Sequence, residues 1–210
     1  LAQARGFVTQ WHVVGPLPAL DDTTDAPARP TVKGRGFGLP LIEYTASMVR
    51  RAGTSIPPVT FNGDAFAWRP AVAQGLPATV DLRALLGAHE HVAAYALARI
   101  VVPHWQAVRI YLGSDDGGEL WLNGKKLHTA RGPRPLRVDD DRISAVLRPG
   151  SNWLLLHVLQ QNASWRYAVR VTTRDGAPLD LANQALPDDG TAGVGLQPTL
   201  VHPDSTGLLP

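Results

Sequence analysis

From Val59 onward the chain is built of short apolar runs cut by turn signals, and this pattern limits its fold more than any other feature. Strong strand candidates are Val92 to Val102, Ala107 to Leu112, Glu119 to Leu122, Asn152 to Leu159 and Trp165 to Thr173. VTFNG and FAWRPAV suggest two more short strands around Asn62-Gly63-Asp64, and VDLRALL (80–86) reads as a strand end or a helical turn. Asn123-Gly124 is a hairpin signal, and Arg148-Pro149-Gly150 marks another turn. Before this array lies a β-rich run, Phe7 to Pro18, which its Gly-Pro-x-Pro punctuation should stop. No βαβ unit of roughly 30 residues is visible. The expectation is an all-β sandwich or jelly roll.

Composition agrees. Gly 20 and Pro 18 in 210 residues favour turns over helices, and 44% hydrophobic residues are enough for a packed core. Absence of cysteine removes disulfides, thiol catalysis, zinc–thiolate sites and iron–sulfur clusters. No apolar run approaches the roughly 20 residues of a membrane-spanning helix. With Lys+Arg 20 against Asp+Glu 18, and no basic stripe, neither nucleic acid nor membrane is an expected partner.

Residues 19–58 are rich in Asp, Thr, Pro, Arg and Gly and read as a long loop ordered by packing, with a short helix or irregular strand over Leu41 to Arg51. After Gly176 the strand signal fades. The expected organisation is one β-sandwich module over 1–176 followed by an extended tail or linker over 177–210, implying neighbouring domains of a longer chain. Ala2-Gln3-Ala4 has the small-x-small form of a signal-peptidase site, which suggests an extracellular or periplasmic location.

Alternation sorts the faces of the strands. Val108, Ile110 and Leu112 share one face, opposite Arg109 and Tyr111. Leu154, Leu156 and Val158 oppose Trp153, Leu155, His157 and Leu159, and Trp165, Tyr167, Val169 and Val171 oppose Arg166, Ala168 and Arg170. One face is the sandwich core, and the other carries aromatics mixed with Arg and His. Either segment 19–58 covers that second face as a secondary core, or it is a shallow sugar-binding face. In the latter, rings stack on the CH face of a pyranose and polar groups bind its hydroxyls.

No G-x-S-x-G elbow, H-E-x-x-H helix, phosphate-binding P-loop or G-x-G-x-x-G is present. His89-Glu90-His91 puts two imidazoles on one strand face, but no third metal ligand stands at a recognisable spacing. The most specific local signal is GSDDGGELWLNGK (113–125), a strand end, a tight acidic turn and a hairpin. Asp115 and Asp116 there either present hard oxygens to Ca²⁺ or cap backbone amides. Trp68, Trp105 and Trp165 stand beside turns, which makes them better ligand candidates than the in-strand Trp121 and Trp153.

GSDDGGELWLNGK resembles the signature of galactose-binding-like β-sandwich modules, and a similar pattern occurs in PA14 domains. The order WHVVGPLP, VDLRALL, AYALARIVVP, the acidic hairpin, VLRPGSNWLLLHVLQ and WRYAVRVTTRDG extends the resemblance over about residues 7–176. It implies a galactose-binding-like jelly roll, of the kind attached to secreted bacterial polysaccharide-active enzymes. In PA14-type lectins paired aspartates help hold Ca²⁺ and sugar, a role that would fall here on Asp115 and Asp116, with structural Ca²⁺ as the candidate cofactor.

The leading expectation is a non-catalytic carbohydrate-binding module for a polysaccharide or oligosaccharide, contacting it through Trp68, Trp105, Trp165, Arg166, Tyr111 and Arg109. A structural module packing against a catalytic domain is the alternative. A third reading is a small hydrolase or lyase with His12, His104 or His128 as acid/base.

Overall fold

In the computed structural model, residues 1–18, 31–32, 35–36, 58–61 and 64–181 are described. The chain is an antiparallel β-sandwich. Its strands are β1 (Gln10–Pro18), β2 (Thr31–Val32), β3 (Arg35–Gly36), β4 (Val59–Phe61), β5 (Asp64–Phe66), β6 (Arg69–Val72) and β7 (Val80–Asp81). A short helix α1 (Leu82–Leu86) precedes β8 (Val92–Val102), β9 (Gln106–Asp115), β10 (Gly118–Leu122), β11 (Lys125–Ala130), β12 (Asp141–Leu147), β13 (Gly150–Gln160) and β14 (Arg166–Thr173). One sheet has the order β11-β10-β13-β8-β1-β6 and the other β12-β9-β14-β7, while β2-β3 and β4-β5 form separate hairpins.

The faces follow the alternation. Val13, Ala96, Leu120, Leu154 and Leu156 of the six-stranded sheet meet Ile110, Leu112, Val169 and Val171 of the four-stranded sheet in one buried cluster. Trp11 and Tyr167 cross edge to face at 5.1 Å, and the Trp11 indole N–H donates to the Val8 carbonyl at 2.9 Å. Alanines 94, 96 and 98 keep the middle of β8 thin, while the bulky Trp11, Trp165 and Tyr167 share its cluster. VDLRALL is both things that the sequence allowed. Val80–Asp81 is a strand, and Asp81 then caps the helix by accepting from the Ala84 N–H at 2.8 Å.

The β-rich run ends with its punctuation, since β1 stops at Pro18 after passing through Gly15-Pro16 with an irregular register against β8 between Val14 and Leu17. One boundary is corrected and one strand is added. The packed unit does not end at residue 176, because Leu179 and Leu181 belong to the main core. Strand β12 was not foreseen. The expected helix or strand over 41–51 and the tail beyond 181 lie outside the described residues, as does most of 19–58.

The outer face of the six-stranded sheet carries a second apolar cluster. Val14, Leu17, Val59, Tyr95, Leu97, Trp121 and Leu155 are buried in it, with Phe66, Trp68 and Trp153 packed against them. Hairpin β4-β5 therefore covers part of this face. Tyr95 stacks on His157 at 4.6 Å, and burial, with the nearby Glu119 charge as a smaller cause, raises the pKa of its hydroxyl. A secondary core thus lies on this face, covered in part by β4-β5, while the cover expected from 19–58 lies outside the described residues.

Candidate ligand-binding surface

The outer face of the four-stranded sheet is different. Alternation turns Ala107, Arg109 and Tyr111 of β9 outward, because Val108, Ile110 and Leu112 are core. The register sets Val146 beside Ala107, Ser144 beside Arg109 and Arg142 beside Tyr111. These positions are exposed or half-buried, and none is covered by a cluster.

Both ends of this strip are built. At one end the chain crosses between the sheets through 103–105, and Trp105 stands there 71% exposed, two residues from Ala107; Val146 is 56% exposed. At the other end the 131–140 segment lies directly on β9. A Cβ on Gly113 would meet the Arg137 carbonyl oxygen at 2.2 Å, so only glycine fits under that crossing. Asp139 accepts from the Arg170 Nε at 3.0 Å, and this carboxylate raises the pKa of the guanidinium. The same guanidinium lies 4.5 Å from the Tyr111 ring, so one face of that ring is already occupied.

Asp115 and Asp116 stand where the chain leaves the four-stranded sheet for the six-stranded one. Asp115 pairs with Arg166 in β14, whereas Gly118 pairs with Val158 in β13. The acid pair is 6% and 7% exposed, with a cis peptide between them. Asp116 accepts from the Gln161 N–H at 2.7 Å through Oδ2 and from the Arg134 N–H at 3.3 Å through Oδ1. The Ser164 hydroxyl donates to Asp115 Oδ2. Arg134 also reaches Ser114, with its guanidinium donating to the hydroxyl at 2.7 Å and to the carbonyl at 3.2 Å, and it pairs with Asp141 at 2.6 Å. The residues present do not fit a resident Ca²⁺. Three of the four carboxylate oxygens accept hydrogen bonds from the chain, a guanidinium is fixed beside the pair, and no cluster of three His, Cys, Asp or Glu ligands exists among the described residues. The pair acts instead as a corner clamp holding 131–140, 161–164 and β13 together.

The expected contact residues do not converge. Arg109 and Tyr111 stand on the open strip, Trp105 is exposed in the turn that precedes β9, and Arg166 is exposed farther along β14. Trp68 is half-buried against the second cluster on the opposite sheet. Trp165 is 0% exposed in the main core, which removes it as a sugar contact; its side chain keeps step with Tyr167, Val169 and Val171. His12 lies in β1, His104 in the 103–105 turn and His128 in β11, where it approaches Asp141 at 3.3 Å. His89 turns back to the Leu86 carbonyl at 3.1 Å. Arg142, Ser144 and Val146 were missed; the alternation of Arg142-Ile143-Ser144-Ala145 could have revealed the first two, whereas Val146 lies in an apolar run.

An antiparallel two-sheet sandwich with an open outer strip is the class of molecule that these features define. No family model matches the chain, and no curated protein matches it. Among solved structures it is similar to an anti-sigma factor domain-containing protein (TM-score 0.41, 14% identity), with 50% of this chain and 37% of that one covered. It is also similar to the PA14 domain of the MpAFP antifreeze protein (TM-score 0.43, 12% identity), with 90% and 94% covered. A PA14 sugar-binding domain from an RTX adhesin gives a TM-score of 0.39 at 11% identity, with 81% and 93% covered. The chain thus spans about a third of the first of these and most of the other two. All three likenesses are weak.

Proposed function

We propose that this chain is a non-catalytic carbohydrate-binding module that contacts its ligand through the strip from Trp105 to Tyr111. The observation that supports the reading most is Trp105. The described residues include all six tryptophans, and Trp105 alone is exposed while the others are buried or half-buried. Exposing an indole forgoes the burial that stabilises the others. Its flat apolar surface is suited to the CH face of a pyranose, and Arg109, Ser144 and Tyr111 provide polar groups in the next rows. Arg109, Tyr111 and Ser144 stand on paired strands, which fix their backbone positions before a ligand arrives. The resemblance in sequence extends the proposal to a longer, secreted bacterial polysaccharide-active protein, outside the cell or in the periplasm.

The test is retention of the chain in native gels containing soluble polysaccharides. Trp105→Ala should lose retention while keeping the melting temperature. Unchanged retention would remove Trp105 from the site.

A structural-module reading is favoured by a separate observation. Val72 and Leu76 are 49% and 45% exposed at the β6 edge of the six-stranded sheet. Concentration-dependent self-association lost in Val72→Ser, with no polysaccharide retention, would favour that reading.

A further inference from the structure

We infer that the ligand of the β9–β12 strip is an anionic polysaccharide, one bearing carboxylate or sulfate groups, rather than a neutral one. The inference rests on the carbohydrate-binding reading and deepens it. The overall charge excess of +2 hides a local asymmetry. Outward positions of β9, β12 and β14 hold Arg109, Arg142, Arg166 and Arg170. Acids compensate part of this charge, and Asp81 of β7 stands opposite Arg166 in register. Asp139 engages Arg170 through Nε and NH2. Asp175 is held below the usual carboxylate range chiefly by the Thr173 hydroxyl, with Arg109 a smaller cause. Arg142 is exposed, and its guanidinium has no hydrogen bond or ion pair among the described residues.

The composition of the strip points the same way. Sugar hydroxyls both donate and accept, so a site for a neutral sugar is best served by carboxylate or amide oxygens beside its donors, whereas the side-chain acceptors here are only the Ser144 and Tyr111 hydroxyls. The open positions are Ala107, Arg109, Tyr111, Arg142, Ser144 and Val146, with no carboxylate and no amide side chain among them. Two guanidiniums stand diagonally across adjacent rows, each a planar fork that matches carboxylate or sulfate oxygens. A polymer with an acidic group on each sugar can meet both at once while Trp105 takes the apolar face of a neighbouring unit.

The experiment is affinity electrophoresis of the full chain in gels containing polygalacturonate, a sulfated galactan, a neutral galactan or single-stranded DNA. Stronger retention on one of the two acidic polysaccharides than on the neutral one is expected, and which of the two retains it identifies carboxylate or sulfate. Added salt should weaken that retention, and Arg142→Gln or Arg109→Gln should each weaken it about tenfold. Thermal melting of both variants checks that they fold. Equal or stronger retention on neutral galactan, lost in Trp105→Ala and unchanged in Arg142→Gln, would overturn the inference and leave the carbohydrate reading standing. Retention on DNA as strong as on the acidic polysaccharides would overturn it as a general polyanion effect. Absence of retention on every polysaccharide would end both.

Discussion

Asn152 is wholly buried between two turns, and its amide is used on both sides. Nδ2 donates to the Arg148 carbonyl at 2.8 Å and the Gly150 carbonyl at 3.2 Å, while Oδ1 accepts from the Arg148 N–H at 3.0 Å and from Asn123 Nδ2 at 2.9 Å. Asn123 in turn accepts from the Trp153 N–H at 2.9 Å, so one asparagine pair joins the β10–β11 turn to the start of β13. Asn152→Ala should cost about 2–3 kcal/mol in a urea unfolding experiment, because it strands buried donors and acceptors. A loss below about 0.5 kcal/mol would mean that water replaces the amide. The two candidate tryptophans should separate as sharply. Trp165→Ala should cost about 3–5 kcal/mol and Trp105→Ala almost nothing. At this scale the sequence was partly legible. The parity of Trp165 with Tyr167, Val169 and Val171 placed it in the core, and its nearness to the 162–164 turn pointed wrongly outward. Parity is the stronger signal, since a one-residue shift would turn every side chain of β14 to the other face.

At the scale of elements, GSDDGG is a corner rather than a hairpin tip. It carries the chain from one sheet to the other, and its acids bind the segments that meet there. Calcium addition or chelation should leave the melting temperature unchanged. A resident ion in hundredfold excess over its Kd would stabilise the fold by about 2.7 kcal/mol, a shift of several degrees, and such a shift would contradict the clamp. Gly113→Ala tests the crossing above it. The added methyl must displace the 131–140 backbone, so a loss of about 1–3 kcal/mol and faster proteolysis within 131–140 are expected. An unchanged cleavage rate would contradict the close packing. Most strands were readable from alternation, and Asn123-Gly124 marked its turn through the positive φ that both residues adopt. Strand β1 was readable to its end at Pro18, whereas its irregular register at Gly15-Pro16 was not. Strand β12 was hidden by the acidic run Asp139-Asp140-Asp141 that leads into it, which reads as a solvated strand edge or turn.

On the scale of the whole molecule, the two sheets use their outer faces differently. The six-stranded sheet buries Tyr95, Trp121 and Leu155 in a cluster that hairpin β4-β5 partly covers, whereas the four-stranded sheet leaves the β9–β12 rows open between the Trp105 turn and the 131–140 crossing. Which apolar-and-arginine face is covered cannot be read from periodicity, since both faces alternate alike. It depends on strand order, and β13 pairs with β8 and β10 while β14 pairs with β9, across long stretches of sequence. The sandwich was therefore legible in the sequence, and the address of its open surface was not. The most direct test is retention of the wild-type chain and Trp105→Ala, side by side, in gels containing polygalacturonate and in gels containing the sulfated galactan. A wild type retarded in one of the two, and a variant that runs there as it does in plain gel, are expected, with both melting at the same temperature. Equal retardation of the two proteins would contradict the placement of the site on this strip.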